Sequence, residues 1–249
     1  MSNFVKEMSE NICKNYSVVV CSFNKLQYLT HIIPKIRKLR PKSEIILSDD
    51  HSTDDTKKWA ESCGLIDKIH FENEPGNYRL STIRNKGIFL ASNEYIVLLD
   101  GDCLPEDDYF SGHDFVFGIN PTCISIGITR RYNSNGTEIR SDDFRISRFN
   151  GQQFCRLDWS VCYGGNIAFP KSVWQRIGGF DQNFDGCWGF EDLDFAIRCE
   201  QTSIPCFSCL LSSVRHLEHP ILKTADDVVL RKTGKNIELF FRKHGIRMV

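Results

Sequence analysis

No apolar run among the 249 residues comes near the roughly 20 residues of a membrane-spanning helix, which leaves only peripheral contact with a bilayer. Neither sign of charge dominates: 31 Lys and Arg stand against 32 Asp and Glu, for a formal net charge of -1. There is thus no global basic field to hold nucleic acid or an anionic membrane, although a local positive cleft stays open. The run "CSFNKLQYL" contains no glycine, so the first strand-like segment lacks the Gly-rich phosphate loop of a nucleotidyltransferase. "CFSC", Cys206 to Cys209, has no second pair to complete a zinc site. The opening residues "MSNFVKEMSENICKNYS" are polar and lack a signal-peptide core. With 11 cysteines, an odd number at irregular spacings, the expectation is a cytoplasmic chain whose thiols are reduced and mostly buried. Internal repeats and low-complexity tracts are absent.

What remains is an ordinary globular composition, 41% hydrophobic and 25% charged, enough for one large domain or two closely joined halves. Strand-like runs at 16–23, 44–50, 68–73 and 95–99 alternate with helical periodicities at 26–39, 52–64 and 80–92, the first interrupted by Pro34. Such alternation predicts a mainly parallel α/β sheet with helices on both faces, whose ligands bind at the carboxyl ends of the strands. Beyond residue 104 the pattern predicts a helix at 107–118, strands at 123–130 and 166–170, a short helix from Lys171, a helix at 190–201 and a terminal helix at 226–245. "VRHLEHP", 214–220, reads as a strand end or loop. Residues 131–152 are polar and weakly periodic, and read as a long loop rich in arginine (Arg131, Arg140, Arg145, Arg148), either a lid or a surface excursion.

Chemistry concentrates at two places. "YIVLLDGD" ends a buried run in Asp100 and Asp102. Two carboxylates so close repel unless a cation sits between them, and hard oxygen ligands suit magnesium or manganese. A solvated turn with Asp100 capping a helix is the plainer alternative; the position at a strand end, on the same rim as Asp49 and Asp50, favours metal. In "YGGNIAFPKSVWQRIGGFDQNFDGCWGFEDLDFAIR", Gly164 and Gly165 allow close approach of a ligand or backbone. Glu191, Asp192 and Asp194 follow an aromatic-glycine loop at a helix start, where capping and general-base roles are both open. His216 and His219 are metal candidates or surface histidines. The other five histidines read as non-functional.

Taken together, "SVVVCSFNKLQYL…EIILSDDHSTDDT…STIRNKGIFLASNEYIVLLDGD" resembles the donor half of family-2 glycosyltransferases with the GT-A fold. "GGNIAFPKSVWQRIGGFDQNFDGCWGFEDLDFAIR" is similar to the segment shared by bacterial chondroitin polymerase domains and β-1,4-galactosyltransferases. The resemblance spans about residues 16–220. It implies a single glycosyltransferase domain over 1–249, with a nucleotide-sugar half at 16–103 and an acceptor half at 104–249. It also implies that Ser22, Asp50, Arg79, Arg84 and Asp100 contact the nucleotide, Asp50 accepting the uracil N3 proton. Asp102 and His216 would hold Mn2+ or Mg2+, with His219 in reserve. Asp192 would be the catalytic base, and Gly165, Trp188 and Glu191 would lie on the acceptor side. Two departures stand out: His51 replaces a usual Gly, and Phe190 replaces a second Gly, which narrows the expected acceptor pocket.

The implied activity is metal-dependent, inverting transfer from a nucleotide-diphosphate sugar, UDP-linked by resemblance, to a hydroxyl acceptor such as a glycan. The alternatives are a nucleotidyltransferase, or a non-catalytic carbohydrate-binding protein of the same fold.

Overall fold

The structure, a computed structural model, describes residues 13–76, 78–132, 138–139, 143–217 and 226–246. The strands are β1 (Tyr16–Ser22), β2 (Glu44–Asp49), β3 (Lys68–Phe71), β4 (Tyr95–Asp100), β5 (Cys103–Pro105), β6 (Ile124–Tyr132), β7 (Glu138–Ile139), β8 (Phe154–Leu157), β9 (Asn166–Pro170) and β10 (Cys206–His216). The α-helices are α1 (Leu26–Leu39), α2 (Thr56–Ser62), α3 (Leu80–Leu90), α4 (Tyr109–Ile119), α5 (Lys171–Ile177), α6 (Glu191–Gln201) and α7 (Asp226–His244). One sheet runs in the order β3-β2-β1-β4-β9-β6-β10-β5, with β7 beside β6 and β8 beside β10.

The first half is parallel, as its β/α alternation predicts: β3 to β2, β2 to β1 and β1 to β4. The second half is mixed. β9 runs antiparallel to both β4 and β6, and β10 runs parallel to β6 but antiparallel to β5. Each buried strand feeds two cores by its period of two. Val18 and Val20, Ile45 and Leu47, and Val97 and Leu99 pack with α1 and α4 on one face. Val19, Ile46, Ile96 and Leu98 pack with α3, α5 and α6 on the other.

Pro34 does not interrupt α1. Leu29, Ile32, Ile33 and Ile36 are all fully buried along this helix. Their burial, at about 1.5–3 kcal/mol each, outweighs the ~3 kcal/mol of an interior proline. The segment 131–152 also departs from expectation. β6 continues to Tyr132, β7 pairs back onto it, and Phe144–Phe149 form a 3-10 helix started by Asp143. Arg145 is buried in this turn with its guanidinium on Asp143 (Nε–Oδ1 2.8 Å, Nη2–Oδ2 2.6 Å), so it is a structural cation there. Arg140 and His219 lie outside the described residues.

Candidate active site

Parallel pairing of β1, β2 and β4 brings Ser22, Asp49, Asp50 and Asp100 to one rim, with Ser22 opposite Asp49 and Cys21 opposite Asp100. Asp50 is gripped by Arg79, whose Nε donates to Oδ1 at 2.6 Å and whose amide donates to Oδ2 at 3.2 Å. Two residues assigned to the nucleotide by resemblance thus meet. His51, in place of glycine, holds φ at +62°. Its Nδ1 lies 3.0 Å from the Glu72 carbonyl oxygen, and histidine is among the residues that tolerate this left-handed conformation. The backbone bend that glycine usually supplies is therefore kept. Asn24 links the adjoining loops, its Oδ1 accepting the Thr53 amide at 2.8 Å.

The two acids that end β4 differ in surroundings. Gly101 lets the turn between them press on β1: its amide donates to the Cys21 carbonyl at 2.8 Å, and a β-carbon there would stand 2.8 Å from that oxygen. Asp102 is buried, with Lys25 Nζ 2.7 Å from Oδ2. Pairing of β10 with β5 sets His216 opposite Cys103, which places its Nε2 3.8 Å from Asp102 Oδ1. Among the described residues no three His, Cys, Asp or Glu stand together as a metal cluster. The Asp102–His216 pair nevertheless fits a magnesium- or manganese-type ion: one hard carboxylate and one imidazole, with the remaining positions left for water and phosphate oxygens. Burial raises the pKa of Asp100, and the charges of Asp102 and Asp192 raise it further against the pull of Arg84.

β9 runs antiparallel to β4, so the Gly164–Gly165 pair that precedes it reaches the same rim. The Asp100 amide donates to the Gly165 carbonyl at 3.1 Å. A β-carbon on Gly165 would lie 2.7 Å from Asp100 Oδ2, and one on Gly164 3.0 Å from both Arg84 and Asp192. Asp192 is buried near the start of α6; its Oδ2 accepts the Gly164 amide and its Oδ1 the Leu193 amide, each at 2.8 Å. The neighbouring Glu191 accepts from Arg84 Nη1 at 2.7 Å. Burial pushes Glu191 up, and Asp192 adds to this, while Arg84 opposes both.

Arg84 is placed differently from its expected role at the base and phosphates. It is 2% exposed, stacked over Phe180, with Nη2 3.7 Å from Asp100 Oδ1. Burial opposes its charge, but Glu191 and Asp100 more than restore it, so its pKa lies above the ordinary guanidinium value. Phe190 adopts φ +75° and its ring centroid lies 5.4 Å from that of Phe240 on α7. It packs toward that helix, which corrects the expectation that it narrows the acceptor pocket. Trp188 is 53% exposed on the loop before α6. Tyr163 and Phe144, both exposed and in edge-to-face contact, flank the Gly164 segment. Sequence reasoning singled out none of Tyr163, Phe144 and Lys25, which the structure sets beside the candidate residues. The one signal for Lys25 is its place directly after the first strand, which in a parallel sheet puts it at the acid rim.

A mixed sheet with paired acids at its strand ends, facing a buried Glu-Asp helix start, defines the GT-A class. The family model described as "Glycosyl transferase family 2" matches residues 17–178, and the chain belongs to that family. A second model, "N-terminal domain of galactosyltransferase", matches residues 145–220. Among relatives, validoxylamine A glucosyltransferase of Streptomyces hygroscopicus subsp. jinggangensis is 26% identical over 76% of this chain and 52% of its own length. Chondroitin synthase of Escherichia coli is 24% identical over 91% of this chain and 38% of its own. The chain therefore spans about half, or less, of these relatives. In solved structures, residues 1-349 of S. aureus TarS in complex with UDP-GlcNAc align with TM-score 0.68 at 12% identity, covering 90% of this chain and 66% of that one. GalNAc-T7 with UDP, GalNAc and Mn2+ aligns with TM-score 0.66 at 15% identity, covering 94% and 52%. These two likenesses show the fold. Among the described residues no helix is long and apolar enough to cross a membrane.

Proposed function

We propose that this chain is a metal-dependent, inverting glycosyltransferase that moves a sugar from a UDP-linked donor to a hydroxyl of a glycan acceptor. The observation that carries the reading is the convergence on one rim of Asp50–Arg79, Asp100 and Asp102–His216, with Asp192 joined to that rim through Gly164 and Gly165. The names of the relatives and the UDP-GlcNAc, UDP and Mn2+ of the structural neighbours support the same class of donor and cofactor. The thiols suit a reducing, cytoplasmic setting.

In this reading Asp50, oriented by Arg79, accepts a hydrogen bond from the imide N–H of uracil. Asp102 and His216 would hold a Mn2+ or Mg2+ ion, which would supply positive charge against the diphosphate leaving group. Asp192, oriented by two backbone amides, takes the proton from the attacking hydroxyl. Attack from the face opposite the departing diphosphate inverts the anomeric carbon, so an α-linked donor gives a β-linked product. Trp188 and Glu191 stand on the acceptor side.

The test is UDP release from UDP-glucose, UDP-GlcNAc, UDP-GalNAc and UDP-glucuronate, each with and without Mn2+. Asp192→Asn keeps the shape of the side chain but cannot take a proton. It is expected to cut turnover by about 10² or more, with UDP binding unchanged. A near-native rate in that variant, or NMR showing a product of retained anomeric configuration, would overturn the mechanism. Nucleotidyl transfer would instead break the phosphoanhydride bond and release the sugar 1-phosphate.

A further inference from the structure

The loop that delivers Glu191 and Asp192 is shaped from outside. Residues 184–190, "FDGCWGF", contain no regular structure beyond the end of a 3-10 turn at Phe184. On one flank Asp185 binds the first turn of α3: Oδ1 accepts the Ser81 amide at 2.9 Å, and Oδ2 accepts the Thr82 hydroxyl at 2.6 Å. On the other flank stands Asn236 of α7, fully buried. Its Nδ2 donates to the carbonyls of Phe184 at 2.9 Å and Gly189 at 2.8 Å, with a longer contact to Cys187 at 3.2 Å. One amide nitrogen thereby fixes both ends of the loop, and Trp188 is carried between two of the anchored carbonyls. One turn along α7, Phe240 packs in a small cluster with Phe184, Leu193 and Ile197, with Phe190 against it. This packing holds Phe190 in a left-handed conformation, φ +75°, that a residue with a β-carbon seldom adopts. The strained residue directly precedes Glu191 and Asp192.

We infer that Asn236 is a positioning residue of the acceptor side. It sets the 184–190 loop so that the exposed Trp188 indole presents an apolar face to a saccharide ring, and so that α6 begins with Asp192 on the Gly164 amide. The inference rests on the acceptor-side reading of this loop. Asn236 touches neither substrate nor the rim acids; it acts through the loop. Among the described residues the hydrogen bonds of Asn236 go to this loop and none reaches β1, β2 or β4, so loss of Asn236 is expected to weaken acceptor recognition more than donor binding.

The test uses Asn236→Leu, which keeps the volume and removes both hydrogens, and Asn236→Ser, which keeps one donor and guards against misfolding of the first. Hydrogen–deuterium exchange is followed in peptides covering 184–193 and, as controls, 16–22 and 95–100. UDP–Mn2+ binding is measured by calorimetry, and KM with methyl β-glycosides of glucose, galactose, N-acetylglucosamine and glucuronic acid as acceptor probes. In Asn236→Leu, exchange in 184–193 and acceptor KM are each expected to rise about tenfold, the scale of one lost buried hydrogen bond. UDP affinity and control peptides should stay within twofold. Asn236→Ser should fall between. Unchanged exchange in 184–193, or faster exchange with unchanged acceptor KM, overturns the inference. So does a parallel loss of UDP binding, which marks a merely global role. If the native chain transfers no sugar, the glycosyltransferase reading fails instead, and the exchange experiment still decides what Asn236 holds.

Discussion

Arg84 on α3 and Glu191 at the start of α6 form a buried ion pair, Nη1 to Oε1 at 2.7 Å, with side chains 2% and 6% exposed. With Asp100 a further 3.7 Å contact of the same guanidinium, one arginine ties the rim of β4 to the helix that carries Asp192. The end of β4 and the start of α6 therefore share an electrostatic joint beside Asp100 and Asp192.

Removing one partner leaves the other charged and dry. Arg84→Met is expected to destabilise the fold by about 3–5 kcal/mol, the scale for breaking a buried pair. The double variant Arg84→Met/Glu191→Met should recover much of this, because no charge is then stranded. Urea unfolding of the two single variants and the double measures it. Additive losses would show that the pair is not coupled.

The Lys25–Asp102 ion pair predicts competition with a metal ion. Chelation should abolish UDP release, and Asp102→Ala should lose Mn2+-dependent UDP binding. Lys25→Met should instead bind Mn2+ about fivefold more tightly, since a partly exposed ion pair is worth roughly 1 kcal/mol. Paramagnetic titration with Mn2+ reads both variants without turnover. Equal Mn2+ affinity in the native chain and Asp102→Ala would remove this acid from the site.

Gly165 is defined by what lies against it. Its missing β-carbon would stand 2.7 Å from Asp100 Oδ2, so Gly165→Ala must push the carboxylate or the strand aside. A loss of about 1–3 kcal/mol is expected, the usual cost of overpacking. Donor affinity should fall with it, because Asp100 moves. Calorimetry with UDP and Mn2+ checks this, and native affinity in the variant would show that Asp100 does not need its present place.

The parallel half and its acid rim could be read in sequence because each strand there is a short β-branched or aliphatic run followed by a helical period. The rest was hidden for local reasons. β10, "CFSCLLSSVRH", mixes Ser and Cys without alternation, and its middle is bulged between Ser208 and Ser213 relative to β6, so no period-two signal survives. β5 and β8 are three and four residues long, too short for periodicity to register. Among candidate site residues, Asp100 and Asp102 were singled out by their place at a strand end, and the roles of Asp50 and Asp192 came from the family resemblance. The buried partnership of Arg84 with Glu191 spans 107 positions and is created by packing alone. His51 and Phe190 looked like departures from a glycine pattern. The structure shows both holding the positive φ that the pattern requires, each stabilised by a specific neighbour.

Acid stability turns on His113. This residue of α4 is fully buried, with Nδ1 2.8 Å from Ser125 Oγ and its ring edge-on to Tyr109. Burial pushes its pKa down to about 3; the side chain of Asn166 opposes that, and the charge on Arg40 adds to it. The unfolded chain protonates near the ordinary value of about 6.5. Below that pH the unfolded state binds a proton that the folded state refuses, so stability is complete above about 6.5 and falls as pH drops toward 3. Between pH 7 and 5 the loss from this one group is about 2 kcal/mol. Glu44, held down to about 2 by Lys68, Ser17 and Ser92 against its burial, acts only below the ordinary carboxylate range and does not enter this window. Glu191, raised by burial, contributes a slope of the opposite sign, which makes the native curve alone uninformative. The difference between native protein and His113→Gln cancels Glu191 and isolates the histidine. Urea unfolding at pH 7 and pH 5 should show the variant losing about 2 kcal/mol less than the native chain over that interval. Identical losses in the two proteins would mean that His113 is able to take its proton in the folded state.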